Sequence, residues 1–486
     1  MEYKKMLITD LRDELDKKNV TSEELFNEAN SLAHKYQEDI NAFVTIIDKY
    51  KCRPKKNTIL TGIPYALKDN FSTTGILTTA SSNILKNYVP VYDATVYKKL
   101  KESGAVLVGK NTMDELAMGG TGTTANTGVV KNPWDTSRLM GGSSAGGAAS
   151  VALGIVPFAI GSDTGDSVRK PAAFGGIVGF KPTYGRISRY GLFAFASSLD
   201  HVAMFTRSVK DAAIVTNILK GKDELDMTSL KDDGKDYTKT LTNSVKGKKL
   251  FYIKEACNIN SYDSPNEMLK ETLKNFNEVI ENCKKLGITV EEVSIDEKLL
   301  SAIYPSYMTI SCAEATSNNS NLTGIQFGNR VDGESYQDIM FNTRTNGFSE
   351  LIKRRFVIGS FVLQKENQEK LFLNACRIRR MIVDKMHELF KTYDGLIMPA
   401  SGGIAPKFGE KSDTLSNEYL ILENHLAIGN FGGFPSISIP SGFIDNMPIS
   451  VNITGDIFKD DLVLNIANEL ESTMNYKGQI VGDKNV

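Results

Sequence analysis

The chain has 486 residues, 41% of them hydrophobic and 24% charged, with a formal net charge of −1, an ordinary globular composition with enough apolar mass for a large core. This near-neutral balance lacks the overall basicity of a nucleic-acid binder, and no apolar run is long enough to span a bilayer as a helix. Cys52, Cys257, Cys283, Cys312 and Cys376 lie far apart and form no CxxC pair, which reads as reduced thiols in a cytosolic protein rather than a disulfide framework or a zinc knuckle.

The opening MEYKKMLITDLRDELDKK is charged throughout and lacks the apolar core of a signal peptide. Thr21-Ser22-Glu23-Glu24 has the form of a capping box, and Leu25, Ala29, Leu32 and Ala33 follow at helical spacing, so a packing helix is predicted there. The basic stretch 51–56 reads as a solvated turn. From about 60 to 215, Gly, Ser, Thr and Ala dominate and are interrupted by short apolar runs such as Ala105-Val106-Leu107-Val108 and 156–160, the texture of an α/β core. Ser208 opens a helix that should stop near Gly221. The polar stretch 223–246 then separates this core from a βαβ-like unit: strand Leu250-Phe251-Tyr252-Ile253, helix over 265–286 stopped by Gly287, and strand Ile288-Thr289-Val290. Helical patterns fill about 350–392. Strands recur at Gly395-Leu396-Ile397-Met398, Ser436-Ile437-Ser438-Ile439 and Ile449-Ser450-Val451, and a helix over 461–470 follows. The fold class is therefore α/β.

The densest group of reactive side chains is Gly161-Ser162-Asp163-Thr164-Gly165-Asp166-Ser167-Val168-Arg169-Lys170, directly after a buried apolar run that ends at Ile160. A helix starting near Ser167 would set its hydroxyl among unpaired N–H groups, where developing negative charge is stabilised. Taken alone, such a serine reads first as an N-cap. Two other elements make a nucleophile worth weighing: the cluster Gly141-Gly142-Ser143-Ser144-Ala145-Gly146-Gly147, and the strand-like Pro64-Tyr65-Ala66-Leu67 that ends in Lys68. A serine nucleophile needs a base. His34, His201, His387 and His425 are the only histidines and none has a triad setting, so lysine, whose ammonium form is disfavoured by burial, is the alternative.

In residue type, order and spacing, Gly142-Ser143-Ser144-x-Gly-Gly, the stretch from Gly161 to Arg169 and Gly179-Phe180-Lys181-Pro182-Thr183 closely resemble the amidase signature family. The likeness extends through Met113-Asp114-Glu115-Leu116-Ala117 and is greatest to the branch whose members serve as subunits of tRNA-dependent amidotransferases. The resemblance implies a large mixed sheet covered by helices in a single domain over 1–486, with a catalytic core over about 60–215, a further α/β region over about 245–330, and C-terminal helices and strands over 345–475 that complete the fold and the substrate pocket. It also implies Ser167 as nucleophile, Ser143 as a bridge at a cis peptide and Lys68 as terminal base. Ser144 supports the bridge, and backbone N–H groups around Thr164, Gly165 and Asp166 form an oxyanion hole. It also implies glutamine as substrate, with Arg355 taking the carboxylate, Glu423 the ammonium and Tyr307 lining the pocket. Ammonia would pass to tRNA-bound glutamate on a partner. Amidotransferase B and C subunits are the expected partners, with tRNA held mainly by them and ATP and Mg used there. This chain itself would need no cofactor or metal, touch no membrane and work in the cytoplasm.

Three departures stand out. Position 166, glycine in the family pattern, is Asp; position 423, usually Asp, is Glu; and Met308 replaces one member of an aromatic pair. A carboxylate at 166 aimed at the oxyanion would oppose catalysis, so the side chain is expected to turn towards Arg169 or Lys170. The resemblance leaves two other readings open: a free-standing amidase on another small amide, and a weakened scaffold subunit.

Overall fold

The computed structural model describes residues 2–262, 264–410, 416 and 418–482. Its described strands are β1 (Phe43–Ile46), β2 (Pro64–Lys68), β3 (Val106–Asn111), β4 (Phe158–Asp163), β5 (Val178–Lys181), β6 (His201–Thr206), β7 (Lys249–Ile253), β8 (Thr289–Val293), β9 (Gly395–Pro399), β10 (Ser436–Ile444) and β11 (Met447–Thr454). They form one sheet in the order β1-β3-β2-β4-β6-β5-β10-β11-β9-β7-β8. β2 runs parallel to both β3 and β4, whereas β6, β5, β10, β11 and β9 pair antiparallel in turn. β7 and β8 are the parallel strands of the βαβ unit and join the sheet through β9. This is the mixed α/β sheet expected from the sequence.

Every residue of β2, β3 and β4 is buried, as short apolar runs covered on both faces should be. The helix Ala145–Ala152 is buried on all sides; its Gly and Ala residues let it lie close to the strands. The Thr21/Glu24 capping box starts the helix Ser22–Ile40, and Ser208 caps Val209–Leu219. Gly287, at φ +78°, ends the turn after Glu267–Lys285. Among the described residues no helix is long and apolar enough to cross a membrane.

Two expectations need correction. β4 runs three residues past Ile160, because Gly161, Ser162 and Asp163 keep pairing with Ala203, Val202 and His201; the ladder, not apolar content, sets its end. The helix after it starts at Arg169 rather than at Ser167. The polar stretch 223–246, which separates the core from the βαβ unit, is itself packed on that core: it buries Tyr237, whose hydroxyl donates to Asp233 at 2.6 Å, and ties Lys220 to Asp232 and Asp233 at 2.8 and 2.6 Å.

Candidate active site

Because β2, β3 and β4 are parallel, their carboxyl ends open on one edge of the sheet, where α/β proteins place their ligands. Lys68 ends β2 and is 1% exposed. Its Nζ lies 2.8 Å from Ser143 Oγ, 3.0 Å from Ser162 Oγ and 3.3 Å from the Ser162 carbonyl; Asn70 Nδ2 also donates to Ser162 Oγ, at 3.0 Å. The Gly142–Ser143 peptide is cis. Asp114, just beyond β3, anchors this loop. Its carboxylate accepts the N–H groups of Thr121, Gly122, Thr123 and Thr124 at 3.0–3.2 Å, and its own N–H donates to the Ser143 carbonyl at 3.0 Å. A Cβ at 142 would collide with Asp114 Oδ2, so only glycine fits.

Burial pushes the Lys68 amine down to about 7 from its ordinary 10.5, although Asp114, Asp163 and Asp200 all work the other way. A charged amine has three donors, a neutral one two and a lone pair. With two N–H groups spent on Ser162, the third direction of a neutral Lys68 is a lone pair facing the Ser143 hydroxyl.

Ser167 is buried beside the same loop and is tied to it by the Ser144 N–H, which donates to the Ser167 carbonyl at 3.2 Å. Among the described residues no hydroxyl-to-hydroxyl bond joins Ser143 to Ser167. Ser144 Oγ donates to the Ser162 carbonyl at 3.1 Å, so it steadies β4 rather than the Ser143 hydroxyl. Asp163 Oδ2 takes the N–H groups of Val168 and Arg169 at 2.9 and 3.3 Å, while those of Gly165, Asp166 and Ser167 meet no protein acceptor among the described residues. Arg169, fully buried, pairs with Asp163 at 2.9 Å and donates to the Gly165 carbonyl at 2.8 Å. Burial opposes ionisation of Asp163, but Arg169 outweighs it and holds the carboxyl well below its usual range. Thr164 Oγ1 donates to Asp200 at 2.7 Å, and burial raises Asp200 to about 6.

The pocket residues converge only in part. The Tyr307 ring packs so closely on Gly165 that a Cβ there would sit 2.9 Å from it, which places Tyr307 against the segment that carries Ser167. Arg355 lies beyond it, 3.9 Å from Met308 Sδ and 5.5 Å from the centre of the Phe195 ring, and its buried Nε has no partner. Glu423 is not the open anion that the resemblance implies. Lys170 Nζ donates to Glu423 Oε2 at 3.0 Å and the Gly402 N–H donates to Oε1 at 2.5 Å; burial works against ionisation of Glu423, and these partners bring its pKa below the ordinary value. Asp166 turns to the same lysine at 3.3 Å and not to Arg169, whose guanidinium is already engaged. Sequence reasoning missed Ser162, Asn70, Asp114 and Asp200 as site residues. Ser162, Asn70 and Asp114 lie inside or beside the quoted motifs and Asp200 lies outside them, and nothing in one sequence says which hydroxyl or carboxylate faces inward.

The family model described as Amidase matches residues 21–464. The glutamyl-tRNA(Gln) amidotransferase A subunit of Halothermothrix orenii is 40% identical over 484 residues, covering 98% of this chain and 99% of that one, and that of Lacticaseibacillus paracasei is 38% identical over the whole of both chains. The crystal structure of the glutamyl-tRNA(Gln) amidotransferase A subunit from Thermotoga maritima superposes with a TM-score of 0.81 at 35% identity, covering 99% of this chain and 98% of that one. With a buried lysine at the end of β2 set against the Gly-Ser-Ser loop and a family match across most of its length, the chain belongs to the amidase family and is an amidase or amidotransferase enzyme subunit.

Proposed function

We propose that this chain is the glutamine-hydrolysing subunit of a tRNA-dependent amidotransferase that converts Glu-tRNA(Gln) to Gln-tRNA(Gln). The observation that carries the chemistry is the 2.8 Å contact between Lys68 Nζ and Ser143 Oγ, at a lysine brought by burial to about 7. Neutral Lys68 accepts the Ser143 proton as Ser143 accepts that of Ser167, and Ser167 Oγ adds to the amide carbonyl. The oxyanion meets the N–H row beside Thr164, Gly165 and Asp166, where each donor is worth about 3 kcal/mol. The relay returns the proton to the leaving nitrogen, ammonia departs, and water frees the acyl-serine. The Ser143–Ser167 hydrogen bond closes when substrate fills the site, as catalytic bonds commonly tighten in the complex.

Arg355 has an unpartnered Nε for a carboxylate, and Tyr307 walls the pocket against Gly165. The similarity to amidotransferase A subunits supports B and C subunits as partners, which would hold the tRNA and use ATP and Mg, while this chain needs no cofactor of its own. A cytoplasmic setting fits that work. The Lys170 contact of Glu423 favours a second reading, a free-standing amidase on a small amide without an ammonium.

The test is ammonia release from glutamine by the chain purified alone and with its B and C partners. Ser167→Ala is expected to lower the rate at least about a thousandfold. An unchanged rate removes the proposal, and activity on simple amides alone, independent of partners, selects the second reading.

A further inference from the structure

We propose that Lys170 is a positioning residue for Ser167: it holds the Asp166 carboxylate off the neighbouring N–H row and cancels its charge, with Glu423 as the opposing anchor. The inference rests on the serine-hydrolase reading above. Asp166 precedes the nucleophile, and its side chain springs from the same backbone that offers the N–H groups of Gly165, Asp166 and Ser167. A fixed negative charge there opposes the oxyanion that those groups would stabilise.

The arrangement around Lys170 answers this. The Lys170 N–H donates to the Asp166 carbonyl at 2.9 Å, a one-turn spacing that sets the two side chains on one face. Nζ then lies 3.3 Å from Asp166 Oδ2 and donates to the Glu423 carbonyl and Oε2 at 2.6 and 3.0 Å. Glu423 belongs to a distant segment and is itself fixed by the Gly402 N–H at 2.5 Å, so the ammonium is gripped from two sides. The lysine side chain is 12% exposed and that of Asp166 26%, which leaves their interaction weakly screened by salt. Arg169 cannot take over: its guanidinium is held by Asp163, the Gly165 and Leu426 carbonyls and Asn430. A charge that the family pattern lacks thus arrives here with a neutralising partner already bound.

The experiment is a double-mutant cycle on the full chain with its co-purified partners, reading kcat and KM for ammonia release from glutamine in the parent, Lys170→Met, Asp166→Gly and the double variant. Lys170→Met is expected to lower kcat about tenfold or more while KM moves less than about threefold. In the Asp166→Gly background, the same change at 170 is expected to shift kcat less than about threefold. Lys170→Arg, which keeps the charge, is expected to recover most of the rate that Lys170→Met loses. Equal losses in both backgrounds, or no loss beside Asp166, overturn the proposal. Should Lys170→Met not fold, Lys170→Gln takes its place with the same expectations.

Labelling of Ser167 by a fluorophosphonate, which builds an anionic oxygen at the same N–H groups without glutamine, separates the two levels of inference. If the parent releases no ammonia from glutamine but its labelling rate shows the coupling, only the glutamine reading falls. If labelling shows no coupling, the role of Lys170 falls by itself.

Discussion

Lys68 sits where water does not solvate it, and that single fact sets the pH behaviour of the site. Burial lowers its pKa to about 7, and the neutral amine is the working form, so activity should rise as pH climbs through that value. The kcat/KM profile for ammonia release is expected to show one ascending limb centred near pH 7; a flat profile between about pH 5.5 and 8.5 removes Lys68 as the base. Lys68→Arg, charged throughout that range, is expected to lose about a thousandfold or more in kcat. Asp114 acts through geometry instead. Its two oxygens organise four backbone N–H groups and the turn that presents Ser143. Asp114→Ala is expected to destabilise the fold by about 3 kcal/mol in urea unfolding, since one buried and three part-buried donors lose their acceptor together. The buried lysine base is legible in the sequence, whereas the role of Asp114 is not, because Met113-Asp114-Glu115 is a motif without a direction.

At the scale of elements, the substrate side depends on two helices. Ile303–Asn318 carries Tyr307 and Met308, and Glu350–Leu363 carries Arg355. They pack tightly at Gly359, where a Cβ would collide with the Cys312 carbonyl and Thr316 Oγ1. Gly359→Leu is expected to force the helices apart, raise KM for glutamine severalfold more than it lowers kcat, and reduce stability by about 1–3 kcal/mol. A KM that does not move while the protein remains folded would separate this helix pair from substrate binding. The apolar periodicity of 350–392 predicts helix, but the pattern hides a break. Gln364 leaves helical geometry with ψ 141° and a π-helical turn follows at Glu369–Leu373. Propensity cannot reveal such a break when both sides of it favour helix.

At the scale of the whole molecule, buried carboxyls stitch the ends of the chain to its centre. Glu471, in the helix Asp460–Ser472, accepts the Val209 N–H at 3.0 Å, and Asp211 accepts that of Ile8 at 3.3 Å. Burial raises Glu471 from 4.5 to about 7 and Asp211 from 3.8 to about 6. A carboxyl whose folded pKa is raised binds more protons in the native state, so its contribution is fully present below its unfolded pKa and is lost as pH rises through the folded value. Urea stability is therefore expected to decline between about pH 4.5 and 7, and Glu471→Gln to flatten that decline. A slope that Glu471→Gln leaves unchanged places the titrating group elsewhere.

The sequence by itself determined the local and the chemical: the capped helices, the apolar strands of the α/β core, and the glycine- and serine-rich loops whose residue types and spacing resemble the amidase signature. These follow from periodicity, capping and steric rules that act within a few residues. What only the tertiary structure decided is which groups meet across long separations. Lys68 reaches Ser143 over 75 residues, and Lys170 reaches Glu423 over 253. It also decided that Glu423 is answered by a lysine of its own chain and that β4 continues to Asp163. Burial, pairing and the pKa values that follow from them are properties of the packed interior, where the dielectric surroundings of a side chain come from residues that the chain order keeps apart.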